Sequence, residues 1–82
     1  MKIKYFSWLK NITNTDYEEI NDKKIKDIKS LKKYLCKKYP KLKKHIIKNN
    51  IIRIAINLEY SFKNDKLNSE DEIALFPPVS GG

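Results

Sequence analysis

Cysteine, histidine and arginine each occur once in this 82-residue sequence, as Cys36, His45 and Arg53. One cysteine excludes an internal disulfide and any cysteine cluster for zinc. One histidine removes histidine-pair metal sites and argues against a His-based catalytic triad, so no metal ligands are expected. No apolar run approaches the roughly 20 residues of a membrane span, and Met1-Lys2-Ile3-Lys4 does not open a signal peptide. A soluble, cytoplasmic chain without a membrane partner is the expectation. Glycine is missing from the interior altogether: the only two close the sequence as Gly81-Gly82.

The length allows one domain, burying roughly 60% of the surface its unfolded chain exposes. Deep clefts need walls that so small a domain lacks, which counts against a self-contained enzyme. Basic residues are plentiful: 18 Lys and Arg against 10 Asp and Glu give a net charge of +8 and a pI near 9.6. Such a balance invites nucleic acid. Yet nearly all the cations are lysines, whereas base readout favours arginine. The excess also travels with abundant Ile and Asn. A solvated basic surface is therefore preferred, with a nucleic-acid face on Lys32, Lys33, Lys37 and Lys38 as the alternative from another class.

Along the chain, Lys2–Ser7 alternates Ile3 and Tyr5 with lysines, the period of a strand. Trp8–Ile12 is ambiguous and long enough for one helical turn. Asn14-Thr15-Asp16 reads as a turn and Tyr17–Ile20 as a second strand. From Ile25 the period changes: Ile28, Leu31, Leu35 and Tyr39 form one stripe of an amphipathic helix. Asp22 and Asp27 lie early in it and Lys37 and Lys38 late, as the helix dipole favours. Pro40 stops it, since Tyr39 is pushed out of the α region. A basic stretch through Lys48 and a turn at Asn49-Asn50 lead to a strand, Ile51–Ile56. Its isoleucines at 52, 54 and 56 share one face, with Arg53 and Ala55 on the other. Asn57 turns the chain, Glu59–Phe62 gives a short strand, Asn64-Asp65 a turn, and Glu72–Phe76 the last strand, with Ile73 and Leu75 inward. The expected architecture is α+β, a β-grasp: a mixed sheet of four to five strands with one main helix packed across it. Its first and last strands run parallel in the centre. The domain covers 1–76, and 77–82 form a flexible tail.

That tail, Phe76-Pro77-Pro78-Val79-Ser80-Gly81-Gly82, is the informative segment. Interior turns have gone to Asn, Asp or Ser, which tolerate such positions less well than glycine. A sequence that avoids glycine elsewhere and ends on two is using them there. Without side chains, Gly81 and Gly82 can thread a narrow slot and present the terminal carboxylate to a partner's active site. Pro77 and Pro78 hold the preceding backbone extended, lowering the entropy lost on docking. Phe76 and Val79 can anchor the tail's base in apolar pockets, and Ser80 completes the partner-binding tail.

Residues 67–82, LNSEDEIALFPPVSGG, are similar to the C-terminus of the molybdopterin-synthase small subunit, a ubiquitin-like sulfur carrier of the ThiS type ending in Phe-Pro-Pro-Val-x-Gly-Gly. The resemblance extends to Lys2–Ser7, Ile25–Leu35 and Ile52–Asn57. It implies that an E1-like activating enzyme adenylates Gly82 with ATP, and that a sulfur-donor system then converts it to a thiocarboxylate. The large subunit of a heterotetrameric synthase would transfer that sulfur to cyclic pyranopterin monophosphate. This chain would then be a non-catalytic sulfur-donor subunit with no tightly bound cofactor. The resemblance leaves thiamine synthesis, tRNA thiolation or conjugation to lysines as alternatives. The chain departs from the family in its strong positive charge. It also carries Ser69-Glu70-Asp71 where the family commonly has an Asp-Gly type turn; the same turn would set Glu70 in a left-handed conformation, and a different turn is the alternative. Cys36 reads as partly buried packing, His45 as a surface residue, and Phe6 and Trp8 as core.

Overall fold

The structure, a computed structural model, describes residues 1–78. Five strands form one sheet: β1 (Lys2–Tyr5), β2 (Tyr17–Glu19), β3 (Arg53–Ile56), β4 (Glu59–Tyr60) and β5 (Glu72–Phe76). They lie in the order β2-β1-β5-β3-β4. The first and last strands run parallel at the centre, with Ile3 beside Ile73 and Tyr5 beside Leu75. The remaining pairs are antiparallel. This is the β-grasp that the alternation of the sequence predicts.

The main helix, α2 (Ile28–Lys38), packs Ile28, Leu31 and Leu35 into the core that Ile3, Tyr5, Ile54, Ile73 and Leu75 form on one sheet face. It begins at Ile28, the first residue of the apolar stripe, because Asp27 caps it. The Asp27 carboxylate accepts from the Ser30 amide at 2.8 Å, while Ser30 Oγ accepts from the Asp27 amide at 3.1 Å, a reciprocal pair that satisfies two orphan donors. Tyr39 leaves the helix at φ −124°, ψ 84°, as the following proline requires.

Pro40 ends one helix and opens another. Proline suits a first helical position, where no amide partner is needed. It starts α3 (Pro40–Lys43), followed by a π-helical turn over Lys44–Lys48. Their buried residues, Leu42 and Ile46, lie four apart and close one end of the core. The basic stretch expected here is thus a helical cover. The ambiguous Trp8–Ile12 segment settles as a short helix, α1 (Leu9–Thr13), which buries Leu9.

Glycine-free turns are made by other residues in the left-handed region: Ser7, Asn14, Asn50, Asn57 and Leu58. Glu70 is not among them. The loop before β5 closes instead as a turn from Asn68 to Asp71, with the Asp71 amide donating to the Asn68 carbonyl and the Asp71 carboxylate accepting from the Asn68 amide. That pair of hydrogen bonds needs no positive φ, so the loop takes the alternative to the Asp-Gly type turn. Beneath the helices, the Glu18 carboxylate gathers Tyr5 Oη at 2.8 Å, Tyr39 Oη and Lys38 Nζ. Burial works to raise the Glu18 carboxyl; the hydrogen bonds from Lys38, Tyr39 and Tyr5 outweigh it and hold the group below its ordinary range. Burial, reinforced by Glu18, pushes the Tyr5 hydroxyl far upward.

Candidate functional site: an apolar groove at the base of the tail

The sheet face turned away from α2 carries an open groove of about 790 Å³. Its floor is small. Ala55 on β3 and Ala74 on β5 stand opposite each other in register, on the side away from Ile54, Ile73 and Leu75. The walls are Phe6, Trp8, Leu58, Tyr60 and Phe76, and Pro77 and Pro78 close one end.

Each wall residue is placed by a local feature. The Phe6 amide donates to the Leu75 carbonyl at 3.0 Å, ending β1 beside β5. Ser7 then takes φ 57° and turns the chain into α1, which leaves Phe6 46% and Trp8 37% exposed. Both residues were expected in the core and are surface walls instead. Phe6 is out of step with Ile3 and Tyr5 in the strand alternation, so it takes the opposite face. Leu58 and Asn57 form the two-residue β3–β4 turn with φ 71° and 50°, a geometry that favours glycine at the second position. Asn57 is tied to β5 through the Glu72 amide and carbonyl and through Asp71. Leu58 has no such tie and stands 93% exposed. Tyr60 sets its ring edge on Phe76, with centroids 5.7 Å apart.

The groove lies where the tail begins. Phe76 is the last residue of the central strand β5, paired with Arg53. Pro77 is buried and Pro78 exposed. Of the residues assigned to the tail, these three are brought together with the groove. Val79, Ser80, Gly81 and Gly82 lie outside the described residues. The groove itself was missed in the sequence, although the outward positions of β3 and β5, Ala55 and Ala74, signal a shallow face that leaves room for another molecule.

The other singled-out residues fall elsewhere. Cys36 is half-buried against the core, and burial pushes its thiol up against the opposing pull of Lys43 and Lys32. A thiol so placed is packing rather than a nucleophile. His45 is half-buried, not a surface residue: its ring lies against Trp8 with centroids 4.7 Å apart, and Nδ1 is shut off from solvent without a hydrogen-bond partner among the described residues. Among those residues no three His, Cys, Asp or Glu side chains gather as a metal site, and no helix is long and apolar enough to cross a membrane.

A five-stranded β-grasp sheet with a helix across one face and an apolar groove on the other defines a small ubiquitin-like protein. The chain belongs to the ThiS family, whose model matches residues 3–82, and so to the small ubiquitin-like sulfur carriers. Its fold is shared with the putative molybdopterin converting factor subunit 1 from Pyrococcus furiosus, at 26% identity and a TM-score of 0.80 over 95% of each chain. The small archaeal modifier protein 1 from Methanosarcina acetivorans matches at 28% identity and a TM-score of 0.81, over 99% of this chain and 94% of that one. A chain of the complex of subunits 1 and 2 of the molybdopterin-converting factor from Helicobacter pylori 26695 matches at 26% identity and a TM-score of 0.67, over 99% of this chain and 96% of that one.

Proposed function

We propose that the protein donates sulfur for molybdopterin synthesis from a thiocarboxylate on Gly82. An E1-like enzyme joins the Gly82 carboxylate to the AMP moiety of ATP and releases pyrophosphate. Sulfur from a donor system then displaces AMP, because an acyl-adenylate has the leaving group that a carboxylate lacks. The charged tail enters the active site of a large subunit, which transfers the sulfur to cyclic pyranopterin monophosphate. Catalytic acids and bases belong to those partners, and the setting is the cytoplasm.

The observation that carries this reading is the course of β5. It leads a ThiS-family chain from the sheet centre into Phe76-Pro77-Pro78 directly beside the apolar groove. A partner that covers the groove is thereby placed to take the residues that follow. Phe6, Trp8, Leu58 and Tyr60 supply the aromatic and aliphatic anchors that dominate such interfaces. The Pyrococcus and Helicobacter neighbours support the molybdopterin pathway. The Methanosarcina modifier favours a second reading, in which the same tail serves thiamine synthesis, tRNA thiolation or conjugation to lysines.

Single turnover tests the first reading. The protein bearing a Gly82 thiocarboxylate is mixed with the large subunit and cyclic pyranopterin monophosphate, and the dithiolene product is quantified. Product with matching loss of thiocarboxylate is expected. An intact thiocarboxylate with no product would move the assignment to the second reading.

A further inference from the structure

The lysines that the sequence offers as one nucleic-acid face do not share a face. Lys33, Lys37 and Lys38 line a hollow that also contains Asp22, and Lys38 is engaged by Glu18. Lys32 lines a different cleft, of about 360 Å³, between α2, the start of β3 and the loop after β4. Lys29, Arg53 and Lys63 join it there, and among the described residues no carboxylate lines that cleft. Among the described residues none of these four cations makes an ion pair.

Phe62 also lines this cleft, and 87% of it is exposed. Its ring stacks on Tyr60, with centroids 5.9 Å and planes 29° apart. The loop that carries Phe62 and Lys63 is held against the start of α2. The Lys29 amide donates to Asn64 Oδ1 at 2.8 Å, Asn64 Nδ2 donates to Asp27 Oδ2 at 3.2 Å, and the Ile28 amide donates to the Asp65 carbonyl at 3.0 Å. The segments that carry the aromatic and the cations are therefore held against one another before any ligand arrives, which lowers the ordering cost of binding.

An open aromatic ring beside unpaired cations suits a ligand that is flat at one end and anionic at the other. A purely apolar partner would have to desolvate four charges, and a bare anion would leave the ring unused. We propose that this cleft binds a nucleotide unit, with its base on the Phe62–Tyr60 stack and its phosphates on Lys29, Lys32, Arg53 and Lys63. The scarcity of arginine counts against reading base edges, not against stacking and phosphate contact, so the binding is independent of base sequence. The source of the nucleotide is a free nucleoside triphosphate or an unstacked RNA strand.

The test titrates the isotope-labelled full chain separately with ATP, a ten-residue uridine RNA and inorganic tripolyphosphate, following backbone amides by NMR. Shifts are expected to concentrate at residues 29, 32, 53, 62 and 63. Phe62→Ala should weaken nucleotide binding about tenfold, and a Lys32→Glu, Lys63→Glu double variant by about tenfold or more. For the RNA, the log–log salt slope should be about −0.7 per phosphate held. Saturation by ATP supports a free nucleotide as ligand; a response to RNA alone supports a strand. Three results would overturn the proposal: no response at these amides, tripolyphosphate binding as tightly as either nucleotide, or shifts spread equally over Lys24, Lys33 and Lys37.

Discussion

On the proposed reading, Leu58 trades stability for contact with a partner. A branched side chain at φ 71° bears strain of roughly 1–2 kcal/mol, and its exposure gives the fold nothing in return. Leu58→Gly should raise stability in chemical denaturation by about 0.5–1 kcal/mol, the strain released less glycine's chain entropy. The same change should weaken docking to the large subunit about tenfold, since it removes a central apolar anchor. Unchanged affinity in calorimetry would take Leu58 out of the interface. Glu18 works in the opposite sense, as a stabiliser with a pH signature. Its folded carboxyl lies below its ordinary value of 4.5, so its contribution is full above that value and fades as the pH falls through the folded one. Glu18→Gln should cost about 1–3 kcal/mol at neutral pH. Denaturation curves of the two proteins should converge as the pH drops below 4.5.

Among the elements, α3 and the π-helical turn after it were the least visible in the sequence and matter most to the core's end. Leu42→Ala should lower stability by about 2–5 kcal/mol, measured by thermal or chemical denaturation. A smaller loss would mean that α3 is a loose cover. Strands β1, β3 and β5 and helix α2 were legible because long alternating or 3.6-residue patterns each bury a whole face. The helical cover was not, because only Leu42 and Ile46 face inward among lysines, too short a stripe to distinguish from a solvated run. Phe6 and Trp8 were misplaced for a related reason: aromatic type suggests burial, but strand phase and the positive φ of Ser7 decide the side. Of the candidate site, Phe76 and Pro77 were legible from the terminal motif. The groove beside them was not, because it is assembled from outward positions on β3, β5 and the β3–β4 turn, which sequence proximity does not join.

For the whole molecule, the parallel pairing of β1 with β5 puts Met1 and Phe76 at opposite ends of the central strand pair. The Met1 ammonium is buried and donates to the Ile20 carbonyl at 2.8 Å, beside the start of β5, while Phe76 leaves from its far end. On the proposed reading, folding and the chemistry at Gly82 are separable. A variant lacking Gly81 and Gly82 should unfold within about 0.5 kcal/mol of the full chain, since the core is formed by residues up to Leu75, and yet transfer no sulfur in single turnover. Residual transfer by that variant would remove the tail from the chemistry. The five left-handed residues carry a sharper consequence. Across the described residues Ser, Asn and even Leu stand where glycine would be most comfortable, so backbone ease is a negotiable demand in this chain. On the proposed reading, the two glycines it kept answer to girth instead. The limit on positions 81 and 82 is the bore of another protein's tunnel, and only a matching change in that tunnel would release it.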